Sequence, residues 1–364
     1  MKKLSKNMIA VVLCILFIIP QCFITAFAYA KDETIDGYVR DIKAVTVYDL
    51  TESKMLYSKN ASDKISVAST TKLVTALVAL EYVHPDTVFK VGTELRLVKP
   101  NSSLCGLSAS SGHTLKLRTL IAGMLLPSGN DAAYTVAVNV ARIHSGNNSM
   151  SDSAAVAYFC NLMNEYCKNL GCLNTNFVNP EGWDNTYHYS TANDMTLVAI
   201  EATKNAIISS IAGIHENKFY FASGHHITWT NSNKLLDPES QYYYPYAKGL
   251  KTGTTNSAGK CLISYADVNG RKILICVYGA KTENDRFLSA KNIFTYLYIP
   301  PMLGDVDKNG SITAADARMV LRASVGLEEL STVMYERGDT DSDGKITASD
   351  ARKILRVAVG LESM

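Results

Sequence analysis

Beyond its first thirty residues the chain has no apolar run long enough to span a bilayer, no block of like charge and no low-complexity tract. A net charge of +2 is too near balance to supply the basic face that nucleic acid requires, so no nucleic-acid partner is expected. None of the 7 histidines stands in an H-E-x-x-H pattern, which removes the helical zinc-protease motif. The 8 cysteines include no C-x-x-C pair, which removes dithiol redox and zinc-ribbon spacings. What is present is an ordinary globular mix, 47% apolar and 19% charged over 364 residues. That is enough for one large domain and a smaller module.

Lys2, Lys3 and Lys6 precede an unbroken apolar run from Met8 to Ile19, and small residues follow at Ala26, Ala28 and Ala30. This pattern predicts a secretory signal peptide over residues 1–30, with an uncleaved anchor as the alternative. Either way, the remaining chain is expected outside the cytoplasm. Cys160 and Cys167 fall on one face of a predicted helix and are expected in the core. Cys261 and Cys276 flank a turn at Asn269-Gly270, which leaves a disulfide or two buried thiols open.

Strand signals at Ala44–Tyr48 and Met55–Tyr57 form a hairpin, and others return at Cys261–Ala266 and Lys272–Tyr278. Between them lie helical patterns at Ser69–Val83, Leu117–Met124, Asp131–Ile143, Ala154–Leu170 and Ala192–Thr203, with a last helix at Asn284–Tyr298. Strands at both ends with helices between predict an α+β domain over 31–298, an antiparallel sheet packed on helices. Pro300-Pro301 marks a linker at 299–303. Beyond it the chain repeats at an offset of 34 residues, Gly304–Gly310 answering to Gly338–Gly344, which predicts a duplicated module over 304–364.

Three motifs in the larger domain carry chemistry in combination. Ser69-Thr70-Thr71-Lys72 is S-x-x-K, Ser128-Gly129-Asn130 is S-x-N, and Lys251-Thr252-Gly253 is K-T-G. Singly they read as a cap, a turn and a loop. In this order they match the handed-down set of penicillin-recognising enzymes. Serine is a weak nucleophile that needs a base, and Lys72 lies one helical turn from Ser69. A lysine serves as base only when neutral, and burial or a neighbouring cation such as Lys251 lowers its pKa. Ser128 is placed to relay a proton to the leaving amine and Asn130 to hold a substrate amide. Gly253 would let a peptide lie against its strand. The catalytic set is therefore Ser69, Lys72, Ser128, Asn130 and Lys251.

With Leu125–Ala133, Leu162–Glu165, Asn176–Gly182, His188–Ala192 and Gly249–Thr254, these motifs make residues from about 36 to 298 resemble the serine D-Ala-D-Ala carboxypeptidases, the low-molecular-mass penicillin-binding proteins. The resemblance implies removal of the terminal D-alanine from a peptidoglycan stem peptide through an acyl-enzyme on Ser69, with acylation by β-lactams and no catalytic cofactor. It further implies substrate contacts from Thr252, Gly253 and Thr254, an oxyanion hole from the N–H groups of Ser69 and Thr254, and Arg286 as partner of the terminal carboxylate. A surface salt bridge is the competing reading of Arg286. Relatives often add an all-β domain and an amphipathic C-terminal anchor; neither is legible here, so another route to the wall is expected. A class A β-lactamase would need a glutamate to activate the deacylating water. Glu165 sits in an ordinary amphipathic helix pattern, and the middle motif is S-G-N, so that rival recedes. A D,D-endopeptidase and a non-catalytic wall-binding protein are further alternatives.

Each C-terminal repeat spaces oxygen ligands like an EF-hand loop. The first offers Asp305, Asp307, Asn309, Ser311, Thr313 and Asp316, and the second Asp339, Asp341, Asp343, Lys345, Thr347 and Asp350, with Ser311 and Lys345 acting through their backbone. A loop followed by one helix, duplicated, resembles a dockerin. The resemblance implies two Ca2+ ions and a cohesin domain of a scaffold protein as partner. Contacts are expected from Ala314, Ala315, Arg318 and Met319 in one copy and Ala348, Ser349, Arg352 and Lys353 in the other.

Overall fold

The computed structural model describes residues 32–298, 302–307 and 309–364; the signal-peptide reading and most of the proline linker fall outside them. The larger unit opens with α1 (Glu33–Tyr38), capped by the Asp32 carboxylate, and a hairpin of β1 (Ala44–Asp49) and β2 (Lys54–Lys59). A tight turn of helix at Ala68–Thr71 leads into α2 (Lys72–Tyr82). A single helix starting at Ser69 was expected. Instead the hydroxyls of Thr70 and Thr71 bond back to the carbonyls of Val67 and Ala68 and tighten this first turn.

A small hairpin follows, β3 (Val88–Lys90) with β4 (Thr114–Lys116). Next come α3 (Leu117–Leu125), α4 (Asn130–Ser145), α5 (Asp152–Asn169), α6 (Ala192–Lys204) and α7 (Ala206–Ala212). The hairpin of β5 (Glu216–Tyr220) and β6 (His226–Thr230) precedes the long strands β7 (Ala247–Thr255), β8 (Gly259–Val268) and β9 (Arg271–Ala280), and α8 (Glu283–Tyr298) closes the unit. The main sheet is antiparallel in the order β2-β1-β9-β8-β7, so the chain's first hairpin docks on its last strands and β7 is an edge.

The sheet is buried on both faces. Along β9, Leu274, Cys276 and Tyr278 enter the core shared with α2 to α6, while Ile273, Ile275 and Val277 enter the core shared with α1 and α8. This period of two turns an almost continuous apolar run into a two-sided strand. It also settles the cysteines. Cys276 lies opposite Ile263 and Cys261 opposite Gly253, so the two thiols are not paired across the ladder, and all six described cysteines are free and buried. No helix among the described residues is long and apolar enough to cross a membrane.

The smaller unit has α9 (Ala314–Ser324), α10 (Thr332–Gly338) and α11 (Ala348–Ala358). Val306, Ala317, Val320, Ala351 and Ile354 form its core, to which the two repeats contribute matching positions. Its helices α9 and α11 start with capping boxes, Thr313 with Asp316 and Thr347 with Asp350.

Candidate active site

Ser69 sits half-exposed at the floor of a cleft of about 540 Å³ that Asn130, Glu181, Gly182 and Thr254 also line. Its backbone is clasped between two glycines. A Cβ on Gly253 would stand 2.9 Å from the Ala68 Cβ and 3.0 Å from the Ser69 nitrogen. A Cβ on Gly182 would stand 1.9 Å from the Ala68 oxygen and 2.8 Å from the Ser69 nitrogen, and Gly182 has φ +95°. Gly253 is thus required by the nucleophile's own turn, a more immediate constraint than the approach of a peptide.

Lys72 is fully buried, and its ammonium donates to three neutral oxygens: Ser69 Oγ at 2.8 Å, Asn130 Oδ1 at 2.7 Å and the Glu181 carbonyl at 2.8 Å. A lysine only donates, so the oxygen of Asn130 must face it, which leaves the Asn130 amide N–H groups for another acceptor. Burial pulls Lys72 down to about 8, against the opposing pull of the Glu181 and Asp131 carboxylates. Lys251 is also fully buried and hydrogen-bonds the Thr252 carbonyl at 3.0 Å. Its pKa is lowered well below the ordinary lysine value, by burial first and then by the charges of Lys72 and Arg286. Of the two causes expected for the Lys72 shift, burial is the one that acts on it, and the repulsion between the two lysines lowers Lys251.

The remaining predicted residues lie behind the cleft wall. Ser128, with φ +66°, is buried in the turn between α3 and α4, two residues before Asn130. The Thr252 hydroxyl shares a 2.6 Å hydrogen bond with Ser232. Arg286 is only 4% exposed, which overturns its reading as a surface salt bridge. It reaches from α8 to the Gly253 carbonyl and the Thr254 hydroxyl, both at 3.3 Å, while pairing with Glu283 at 3.3 Å.

A glutamate does enter this cleft, contrary to expectation, and it is Glu181 rather than Glu165, which stays on α5. Glu181 accepts from the Tyr134 hydroxyl at 3.1 Å, while its Oε2 is buried without a partner. Burial raises its pKa, and Lys72 and Tyr134 partly offset that. Its segment Asn179-Pro180-Glu181-Gly182 was part of the resemblance, but only the fold-back at Gly182 brings it to Lys72.

In the smaller unit, carboxylate oxygens of Asp305, Asp307 and Asp316 lie within 4.8 Å of one another, as do those of Asp339, Asp341 and Asp343. Gly310 and Gly344 take φ +88° and +77° at the sharp turn. The Asp305 Oδ1 is buried without a partner, as an open ligand position for a hard cation would be. The other Asp305 oxygen pairs with Arg337 at 3.0 Å. Asp350 departs from the expected set: it is drawn to Thr340 and Thr347 and stands outside the second cluster. Asn309, Ser311 and Lys345 are exposed on their loops, and the Thr313 and Thr347 hydroxyls cap their helices. Ala314, Arg318, Ala348 and Arg352 line one mainly apolar groove between α9 and α11; Ala315 and Ser349 are exposed outside it, and Met319 and Lys353 do not line it either.

Two outcomes follow from this geometry. Acylation of Ser69 should rise with pH through about 8, because neutral Lys72 is the competent base; stopped-flow labelling with a penicillin measures it. A depressed lysine pKa also costs stability. The cost is full below about 8 and fades as pH climbs toward 10.5, so Lys72→Met should raise the unfolding free energy most at low pH, by about 3 kcal/mol in calorimetry. Second, Gly182→Ala should cut the acylation rate at least about tenfold, while Gly112→Ala, equally left-handed but with open space around it, should cost only about 1 kcal/mol.

The D-alanyl-D-alanine carboxypeptidase family model matches residues 35–282, and a dockerin type I model matches residues 303–356. The chain is 27% identical over 264 residues to the D-alanyl-D-alanine carboxypeptidase DacF of Bacillus subtilis, covering 72% of this chain and 63% of that one. It is 31% identical over 253 residues to a D-alanyl-D-alanine carboxypeptidase of Streptomyces strain K15, covering 66% of this chain and 81% of the relative. The crystal structure of the Streptomyces K15 DD-transpeptidase superposes with a TM-score of 0.63 at 29% identity, over 70% of this chain and 96% of that one. The chain thus spans less than two thirds of the Bacillus relative's length. By its motifs, its fold and this match, the chain belongs to the D-alanyl-D-alanine carboxypeptidase family and carries a dockerin type I domain.

Proposed function

We propose that this protein is a secreted serine D-Ala-D-Ala carboxypeptidase that removes the terminal D-alanine of peptidoglycan stem peptides, held on a scaffold protein through calcium-dependent binding of its dockerin to a cohesin. The observation that carries the enzymatic reading is the contact of Lys72 Nζ with Ser69 Oγ at 2.8 Å, in a pocket where burial favours the neutral amine.

A neutral Lys72 has two N–H groups and one lone pair. The N–H groups serve Asn130 Oδ1 and the Glu181 carbonyl, which turns the lone pair toward the Ser69 hydroxyl. Ser69 Oγ then attacks the penultimate D-alanine carbonyl as Lys72 takes its proton. The N–H groups of Ser69 and Thr254 face the developing oxyanion, an arrangement in which one lost donor typically costs about 10²–10³-fold in rate. Ser128 passes the proton on to the departing D-alanine amine, and Arg286, with Lys251, supplies positive charge for the terminal carboxylate. Water then cleaves the Ser69 ester.

Ser69→Ala should abolish labelling by a fluorescent penicillin and lower D-alanine release from a D-Ala-D-Ala peptide by at least about 10⁴-fold. Persistent labelling of that variant would remove Ser69 from its role, and fast penicillin hydrolysis by the native chain would favour a β-lactamase.

In the dockerin, Asp305, Asp307, Asn309 and Asp316 would hold one calcium ion and Asp339, Asp341 and Asp343 a second, with loop carbonyls and Thr313, Thr347 or Asp350 completing the shells. Calcium would neutralise carboxylates that otherwise repel. The groove between α9 and α11 is the surface offered to the cohesin. With the full chain, a calorimetric transition present in calcium should vanish in chelator while penicillin labelling persists; identical traces count against calcium-dependent folding.

A further inference from the structure

The cleft is electrically two-ended. Behind the cleft wall lies the buried guanidinium of Arg286, which reaches the Thr254 hydroxyl of the lining. The lining contains Asp184 and Glu181 but, among the described residues, no lysine, arginine or histidine. One end therefore suits a carboxylate, and the mouth suits a cation.

Trp183 and Asp184 form that mouth. They directly follow Gly182, which presses on the Ser69 backbone, so they lie one and two residue steps, about 3.8 Å each, from that contact. Asp184 is also tied to the far end of the K-T-G strand. It accepts from the Thr255 hydroxyl at 2.6 Å and the Ser257 N–H at 3.0 Å, and from the Ser66 hydroxyl at 2.9 Å. These donors, with the Ser257 hydroxyl as a further one, are neutral, so they orient the carboxylate without cancelling its charge. Burial pushes the Asp184 carboxyl up, but the hydrogen bonds together outweigh it and keep the group anionic at neutral pH.

Trp183 is 36% exposed, and its backbone is fixed at both ends by Asn179, at 3.1 Å to its N–H and 3.0 Å to its carbonyl. An indole on a fixed backbone next to an oriented carboxylate is the chemistry that receives an ammonium group. Two lysines neighbour the place. Lys64 shares the adjoining groove with Asp184, but its ammonium stands over the Tyr189 ring at 4.3 Å. Lys99 is exposed beside Pro100, which lines the same cleft.

We propose that Asp184 and Trp183 form a subsite for a primary ammonium, the free side-chain amine of the stem-peptide residue that precedes D-Ala-D-Ala. This rests on the D,D-peptidase reading and names its preferred substrate: a stem whose side-chain amine has not been acylated in a cross-link. A zwitterionic stem, with its carboxylate at the buried end and its amine at the mouth, matches the two-ended cleft along its length.

The test compares two peptides on the full chain, Nα-acetyl-L-lysyl-D-Ala-D-Ala with a free ε-amine and its Nε-acetylated form, with D-alanine release as the readout. The native chain should favour the free amine in kcat/KM by about tenfold, the scale of one good charged contact. About 0.5 M salt should weaken that preference. Asp184→Asn should bring the ratio near one, and Trp183→Leu should reduce it about threefold. The ratio is taken within each variant, so general damage to the site cancels, and penicillin labelling counts the folded sites. Equal rates for the two peptides in the native chain, or a ratio unmoved in both variants, overturns the subsite alone. No D-alanine from either peptide, with Ser69 still labelled, overturns the carboxypeptidase reading and the subsite with it.

Discussion

A lysine amine held in a dry pocket is the constraint on which the rest of the larger unit turns. Lys72 is fully buried and faced by neutral oxygens, so its environment resists the proton that bulk water at neutral pH would supply. Three separate parts of the chain must converge to maintain that pocket. The turn before α2 supplies Ser69, the start of α4 supplies Asn130, and the loop through Glu181 closes the third side. The two-faced sheet gives these parts a common wall: β7 carries Gly253 against Ser69 from one direction, and the helical layer presses from the other. Glycine at 182 and 253 is the sterically required residue, because the Ser69 backbone occupies the space a side chain would need.

How much of this could be read beforehand follows from which interactions are local. The pairing of Ser69 with Lys72 is a matter of helical pitch, so three residues of sequence carry it. The long strands and helices announced themselves through periodicity, and the repeat at 34 residues through self-similarity. What stayed hidden depends on distant contacts. The Glu181 carbonyl reaches Lys72 across 109 positions, and nothing in Pro180-Glu181-Gly182 itself says so. The strand around His226 was legible but its partner β5 was not, because β5 fully buries none of its side chains and so leaves no apolar alternation. The relative weight of burial and of Lys251 in the Lys72 shift stayed hidden for a related reason. Spacing places charges near one another, but only packing determines how much water is removed.

The smaller unit depends on a different balance. Its core is a handful of apolar residues, and much of its order comes from carboxylates turned toward their own loop N–H groups and helix caps, as with Asp316 and Asp350. Duplication does not make the two loops equal. Arg337 already sets a guanidinium against Asp305, which gives the first loop an internal positive partner within its carboxylate cluster. Pairing of this kind, buried and hydrogen-bonded, ties the second repeat to the first.

The six buried thiols bear on where and how this chain can mature. Burial pushes Cys160 and Cys261 up to about 12 and Cys276 up to about 11, so the reactive thiolate is scarce at neutral pH. None is paired, and the core closes around them as small apolar groups. The folded described residues therefore need no thiol-oxidising partner, and burial shields the finished core's thiols from reducing or oxidising surroundings.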